Sequence, residues 1–258
     1  MNLIDELKVC KDIIKEAGKK ILDIYKTDFE VEYKEDDSPL TMADRLSNEI
    51  IVSKLKEKFK DYAILSEESK DNLERMKNDW CWIIDPLDGT KEFVKKNGEF
   101  TVNIALTHKK KPILGLIYVP THKKLYYAQK SKGAYLEKDN GEITKLKVSR
   151  RKKRLRMVIS RSHASKEVQN LIETKDCIKE VKRAGSSLKG CLIAEGKAEV
   201  YYRYNPTMEW DTAAMHSIVE EAGGVFRKLN DSEMRYNRKN NVNKEGFYIL
   251  NNKNNKIH

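Results

Sequence analysis

No stretch of this 258-residue chain is long and apolar enough to cross a bilayer; its longest apolar runs are strand-sized pieces such as 113–120. Asp5 and Glu6 stand where a secretory leader would be basic and then apolar, so no export signal is expected. The four cysteines, Cys10, Cys81, Cys177 and Cys191, include no C-x-x-C pair, and three of them fall inside apolar patterns. They read as reduced core residues of a cytoplasmic protein. Internal repeats are missing, as are helix-turn-helix and zinc-finger spacings. What the chain has is charge. Its 51 basic against 40 acidic residues give a formal +11, which attracts nucleic acid, an acidic membrane surface or a multiply phosphorylated small molecule alike. The densest basic run, Arg150-Arg151-Lys152-Lys153-Arg154, has none of the interleaved aromatics of a base-stacking platform and reads as a solvated linker face.

Despite a mean hydropathy of -0.72, the 39% apolar residues are grouped into periodic segments, enough for one large domain or two moderate ones. Apolar positions at three- and four-residue spacing predict an amphipathic helix over 3–25 and a second over about 42–59, after the turn signal Asp36-Asp37-Ser38-Pro39. Strands are expected at 63–65, 80–84, 100–107, 113–119, 125–128 and 134–136, with tight turns favouring antiparallel neighbours. Past the basic run, strands at 157–160, 178–181, 199–202 and 225–226 alternate with helices at 166–172, 187–195 and 211–222. The expectation is an α/β protein: an α+β half over 1–149, an α/β half over 150–258, and a frayed Asn- and Lys-rich tail at 251–258.

The most informative segment is Asp79-Trp-Cys-Trp-Ile-Ile-Asp85-Pro-Leu-Asp88-Gly-Thr90. Pro86 cannot donate to a sheet ladder and Gly89 permits a sharp turn, so Asp85 and Asp88 are expected together at the strand's carboxyl end. Two carboxylates desolvated side by side repel, and oxygen ligands of this kind suit Mg²⁺. A plain turn with Asp88-Gly89 at its tip explains the same letters. Three other acidic segments are equally ambiguous alone. Glu67-Glu68 reads as a solvated loop after a short strand, Asp44 as a first-turn acid and Asp211 as a helix N-cap.

Taken together, these segments resemble the inositol monophosphatase superfamily of Mg²⁺-dependent, lithium-sensitive phosphatases over essentially the whole chain. Asp85-Pro86-Leu87-Asp88-Gly89-Thr90-Lys91-Glu92-Phe93 and the following Asn97-Gly98-Glu99-Phe100-Thr101-Val102-Asn103 look like its CysQ-type 3'(2'),5'-bisphosphate nucleotidase branch. Ser160-Arg161-Ser162-His163, Gly185-Ser186-Ser187-Leu188-Lys189 and Tyr202-Arg203 agree with it. Asn205 departs, standing where relatives often carry glycine. The resemblance implies a five-layered αβαβα sugar-phosphatase fold. It implies Glu67, Asp85 and the Leu87 carbonyl on one Mg²⁺ and Asp85, Asp88 and Asp211 on a second, a third being left open. Thr90 paired with Asp44 would orient the attacking water, with Glu67 also counted in the catalytic set. Gly89 and Thr90 amides, His163, Ser186, Lys189 and Arg203 would contact a nucleotide bisphosphate, adenosine 3',5'-bisphosphate being converted to AMP and phosphate in sulfur metabolism. Inositol-1-phosphate or fructose-1,6-bisphosphate hydrolysis is the alternative, and a non-enzymatic polyanion binder a second. Nucleic acid and an integral membrane segment are not expected; a monomer and a homodimer both stay open, as does peripheral attachment of this cytoplasmic protein to the inner membrane surface.

Overall fold

The computed structural model describes residues 3–35, 38–162 and 164–257. Asp36, Asp37 and His163, named above, lie outside them.

Helix α1 (Ile4–Tyr25) leads to a two-strand ribbon, β1 (Glu32–Tyr33) and β2 (Pro39–Leu40), and then to α2 (Met42–Lys58). Thr41 caps α2 by accepting from the Ala43 amide, while Asp44 reaches back to the Thr41 amide at 2.8 Å. A seven-stranded sheet follows: β3 (Ala63–Ser66), β4 (Trp80–Asp88), β5 (Thr101–His108), β6 (Lys111–Val119), β7 (Lys124–Gln129), β8 (Gly133–Glu137) and β9 (Ile143–Lys145), in that spatial order. Only β3 and β4 are parallel, so both end on the same side of the sheet. The five-residue α3 (Thr90–Val94) leaves the end of β4.

After Arg150–Arg154 come β10 (Leu155–Ser160), α4 (Lys166–Thr174), β11 (Ile178–Ala184), α5 (Leu188–Ala194), β12 (Val200–Arg203), β13 (Thr207–Met208), α6 (Glu209–Glu221), β14 (Val225–Lys228), β15 (Val242–Asn243) and β16 (Phe247–Leu250). The second sheet has the order β11-β10-β12-β16-β14, while β13 and β15 form a separate ribbon.

Period-two alternation explains the layering. On one face of the first sheet Trp82, Ile84, Ile104 and Leu116 pack with Ile14 and Ile21 of α1 and Ile51 and Leu55 of α2. From the other face Ile83, Ala105 and Ile117 share a core with α5, α6 and the inner face of the second sheet, through Cys191, Ala214, Ile218, Tyr201 and Ile249. Val168 and Leu171 of α4 cover the outer face, against Met157, Ile159 and Tyr202. Five layers result, α/β/α/β/α, in agreement with the expected fold.

Some expectations need correction. Strand β4 does not stop at Ile84 but continues through Pro86 to Asp88. A bulge takes up the proline: Asp85 faces Asn103 and Asp88 faces Thr101, three steps on one strand against two on the other. Helix α6 begins at Glu209, so Asp211 is its third residue and not its N-cap. Strands β9 and β16 were not expected. Nor is the tail frayed: Asn251 and Asn255 are buried, and their side-chain amides donate to the Arg151 carbonyl at 2.9 and 2.8 Å. Those bonds turn polar residues, read as a solvated end, into a latch on the exposed basic run. Cys10, Cys81 and Cys191 are buried and Cys177 is exposed. No helix among the described residues is long and apolar enough to cross a membrane.

Candidate active site

The parallel pairing of β3 and β4 brings two acidic segments to one edge of the first sheet. Glu67, one residue past β3, still donates its amide to the Ile84 carbonyl at 3.2 Å, beside Asp85. Gly89 then turns the chain with φ +92°, a left-handed conformation that side chains resist; a Cβ there would sit 3.2 Å from Ser186 Cβ. From the second half, the start of α6 supplies Asp211, α5 supplies Lys189, and the end of β12 supplies Arg203. A cleft of about 280 Å³ is lined by Glu67, Asp85, Leu87, Asp88, Gly89 and Thr90 from the first half. Ser186, Lys189, Arg203 and Asp211 line it from the second. The structure thus brings together every described residue expected above to bind metal, bind substrate or act in catalysis except Asp44, which lies just behind Thr90.

Each acid has a defined hold. Thr90 Oγ1 donates to Asp44 Oδ1 at 3.1 Å, the pairing expected from the resemblance. Asp44 Oδ2 accepts from the Thr41 amide and hydroxyl at 2.8 and 2.6 Å. Burial is the main reason that Asp44 is pushed up to about 6. Asp85 Oδ1 accepts from the Leu87 amide at 3.2 Å, and Asp211 Oδ2 from the Met208 amide at 2.7 Å. Burial, and then repulsion from Glu67, Asp88 and Asp211, pushes Asp85 well above the usual carboxylate range. Asp211 rises to about 7 through burial and then the charge of Asp88. Glu67 also rises to about 7 by burial, although Lys34 donates to its Oε1 at 2.8 Å.

This donor set fits a hard divalent cation. Buried carboxylates whose ionised forms repel one another gain most from a charge placed between them. Among the described residues no three His, Cys, Asp or Glu side chains already close into a ligand set. Asp85, Asp88 and Asp211 are instead held by uncharged donors through one oxygen each.

Two cations flank the acids. Lys189 is buried, its Nζ donates to the Ser186 carbonyl, and burial lowers its pKa. Arg203 donates to the Asn205 and Pro206 carbonyls at 3.2 and 3.4 Å. Asn205 itself has no positive φ, so a glycine is not needed at this turn.

Several residues of this neighbourhood escaped the sequence reading. Ser187, Asn103 and Thr101 hold Asp88, and Lys34 bridges Glu67 and Glu68. Glu99 ties the loop after α3 to the second half by accepting from Arg161 at 2.7 and 2.5 Å and from the Gly185 amide at 2.7 Å. Polar residues two apart at the start of strand β5, Thr101 and Asn103, ahead of the apolar run 104–106, were the one signal available beforehand.

Residues 5–256 match the Inositol monophosphatase family, and the chain belongs to that family of phosphatases. Within it the chain is similar to the 3'(2'),5'-bisphosphate nucleotidases CysQ. It is 42% identical over 247 residues to the protein of Buchnera aphidicola (subsp. Acyrthosiphon pisum, strain APS), covering 93% of this chain and 91% of that one. It is 37% identical over 246 residues to that of Escherichia coli K12, covering 94% and 98%. The crystal structure of CysQ from Bacteroides thetaiotaomicron superimposes with a TM-score of 0.84 at 40% identity, covering 96% of this chain and 98% of that one.

Proposed function

We propose that this chain is a Mg²⁺-dependent 3'(2'),5'-bisphosphate nucleotidase that hydrolyses adenosine 3',5'-bisphosphate to AMP and phosphate. The observation that carries the reading is the juxtaposition of four cleft acids, Glu67, Asp85, Asp88 and Asp211, with the cations of Lys189 and Arg203. Near full-length similarity to nucleotidases of that specificity supports the choice of substrate.

Glu67, Asp85, the Leu87 carbonyl, Asp88 and Asp211 would hold two Mg²⁺ ions. Such ions, when bound, offset the acids' charge and act as Lewis acids toward phosphate oxygens. Thr90 has one hydroxyl proton, and Asp44 Oδ1, at 3.1 Å, is its nearest acceptor. With that proton committed to Asp44, the Thr90 oxygen accepts a hydrogen bond from a water and turns that water's lone pair toward the 3'-phosphorus. Asp44, pushed up to about 6, can take the proton that Thr90 relays. Water oxygen then bonds to phosphorus as the bond to the ribose 3'-oxygen breaks; that oxygen takes up a proton from solvent, and Asp44 returns to solvent the one it holds. The Gly89 and Thr90 amides face the scissile phosphate, while Lys189 and Arg203 pair with the 5'-phosphate and Ser186 offers its hydroxyl beside them. His163 belongs to the same expected set.

Purified protein with Mg²⁺ and a panel of adenosine 3',5'-bisphosphate, inositol-1-phosphate and fructose-1,6-bisphosphate tests this directly. The nucleotide should have the highest kcat/KM. A clear preference for inositol-1-phosphate would overturn the assignment.

A further inference from the structure

Asp88 is gripped unlike the other acids of the cleft. Its Oδ2 accepts from Ser187 Oγ at 2.7 Å, Asn103 Nδ2 at 3.1 Å and Thr101 Oγ1 at 3.4 Å. The three donors also bond among themselves: Asn103 Nδ2 donates to Ser187 Oγ at 2.9 Å, and Thr101 Oγ1 to Asn103 Oδ1 at 3.0 Å. All three are buried, Thr101 at 0%, Asn103 at 1% and Ser187 at 2% exposure.

Ser187 occupies the N-cap position of α5, where a serine hydroxyl ordinarily bonds to the amides of the first turn. Here it makes no capping bond, unlike Thr41 and Ser165 ahead of α2 and α4. Its hydroxyl points across the junction of the two halves to Asp88 and, at 3.3 Å, to the Asp211 carbonyl.

We infer that Ser187, Asn103 and Thr101 form a positioning clamp that fixes the direction in which Asp88 presents its carboxylate to a divalent cation. This rests on the metal-dependent reading above and deepens it. The chemistry of the donors is the reason. A lysine or arginine at this place would neutralise Asp88 and compete with the cation, whereas a hydroxyl and an amide orient the carboxylate and leave its charge available. Asp88 Oδ2 is tied to the protein, which leaves Oδ1 for the cleft. Because Ser187 lies on the second half and Asp88 on the first, the clamp also sets how far apart Asp88 and Asp211 stand. These residues touch no substrate, so they are positioning and not catalytic groups.

Mg²⁺ binding measured by calorimetry on the full chain separates this role from simple packing. Ser187→Ala should bind Mg²⁺ about tenfold or more weakly than wild type, the usual consequence of removing a group that orients a metal ligand. Thr107→Val is the control: Thr107 is equally buried, on the strand that carries Thr101 and Asn103, but its hydroxyl donates to the Cys81 carbonyl at 3.0 Å, away from the acids. It should lower the melting temperature and leave Mg²⁺ affinity within about twofold, far short of the effect of losing a ligand-orienting group. Unchanged affinity in Ser187→Ala, or an equal loss in Thr107→Val, would overturn the clamp while the metal site stands. A wild-type protein that binds no Mg²⁺ would overturn both.

Discussion

Asp85 and Glu199 are both buried carboxylates, 1% and 0% exposed, and the protein treats them in opposite ways. Glu199 accepts four hydrogen bonds, from Ser149 Oγ at 2.6 Å and from the Arg156 amide, Nε and Nη2 at 2.8, 3.1 and 2.6 Å. Burial alone would raise its pKa, but Arg156 and Ser149 carry it below the ordinary value. Asp85 has one donor among the described residues, the Leu87 amide, and the charges that act on it most are those of Glu67, Asp88 and Asp211. Glu199 is a finished structural pair that locks the strand after the basic run. Asp85 is an unfinished one, and an acid left buried without a counter-charge in a cleft is a mark of function.

Substitution should separate the two most sharply. Asp85→Asn should abolish turnover, by about 10³-fold or more, because several kcal/mol of charge stabilisation at the phosphate are lost. The same change relieves repulsion and should raise the metal-free melting temperature. Glu199→Gln should do the reverse. It leaves Arg156 without its partner, a loss of about 3 kcal/mol at the low end for a buried pair since Arg156 is itself part-exposed, with kcat of the folded fraction unchanged. Steady-state rates and melting curves on both variants decide it, and substantial activity in Asp85→Asn at saturating Mg²⁺ would sink the metal-centred reading.

Next in size is the pair formed by Thr90 and Asp44. Thr90→Ala should lower kcat by about 10² to 10⁴, the range for a positioned proton-transfer group, with Mg²⁺ affinity little changed. Asp44→Asn should behave alike. Loss of Mg²⁺ binding in either variant would show that these residues belong to the ligand set and not to water activation.

Smaller effects are expected at Lys189 and Arg203, the cations proposed to face the second phosphate. Removing one partner of a charge-assisted contact costs roughly 1.5–3 kcal/mol. Lys189→Ala and Arg203→Ala should therefore weaken kcat/KM for adenosine 3',5'-bisphosphate by about tenfold to a hundredfold and barely affect 3'-AMP. Equal losses on both substrates would place the two side chains at the scissile phosphate or in the fold.

The layers were legible because apolar residues are grouped at strand and helix periods, and the acidic edge because Pro86 and Gly89 punctuate it. Where the reading failed, the deciding partner was far away in sequence. Nothing near Asn251 and Asn255 says that the Arg151 carbonyl, about a hundred residues earlier, will bury them. Helix α6 starts at Glu209 because that acid is buried and held by the Arg238 guanidinium and the Asn237 amide, on a segment folded back from 28 residues on. Ser187 looked like part of an ordinary helix start, and only its placement against Asp88, 99 residues away, shows otherwise. Tight turns were easier to find than to explain: Lys109 and Lys110 both take positive φ between β5 and β6, where glycine or asparagine would be expected.

The smallest effect distinguishes the two kinds of buried acid without any catalysis. Glu67 and Asp211 titrate near 7 in the folded protein and near 4 when unfolded, and Asp85 is displaced in the same direction. Between about pH 4 and 7 the folded state therefore holds more protons than the unfolded one, so stability falls as pH rises through that window. Acids with strong cationic partners have the opposite sign; Glu220, lowered to about 2 by His216 and Arg227 against its burial, contributes stability that is lost only on acidification. Such acids are fully ionised above pH 5, and histidines change charge between pH 5 and 8 in wild type and variant alike, so the difference between wild type and Asp85→Asn over that scan isolates the unpaired set. The metal-free melting temperature should drop across that scan by more in wild type than in Asp85→Asn. The expected difference is about 2–4 °C for each kcal/mol of repulsion removed. Added Mg²⁺ should restore the wild-type value at pH 8, where the acids are ionised and bind it best. Identical pH slopes in wild type and Asp85→Asn would mean that the carboxylates of this cleft do not repel, and the contrast with Glu199 would lose its physical basis.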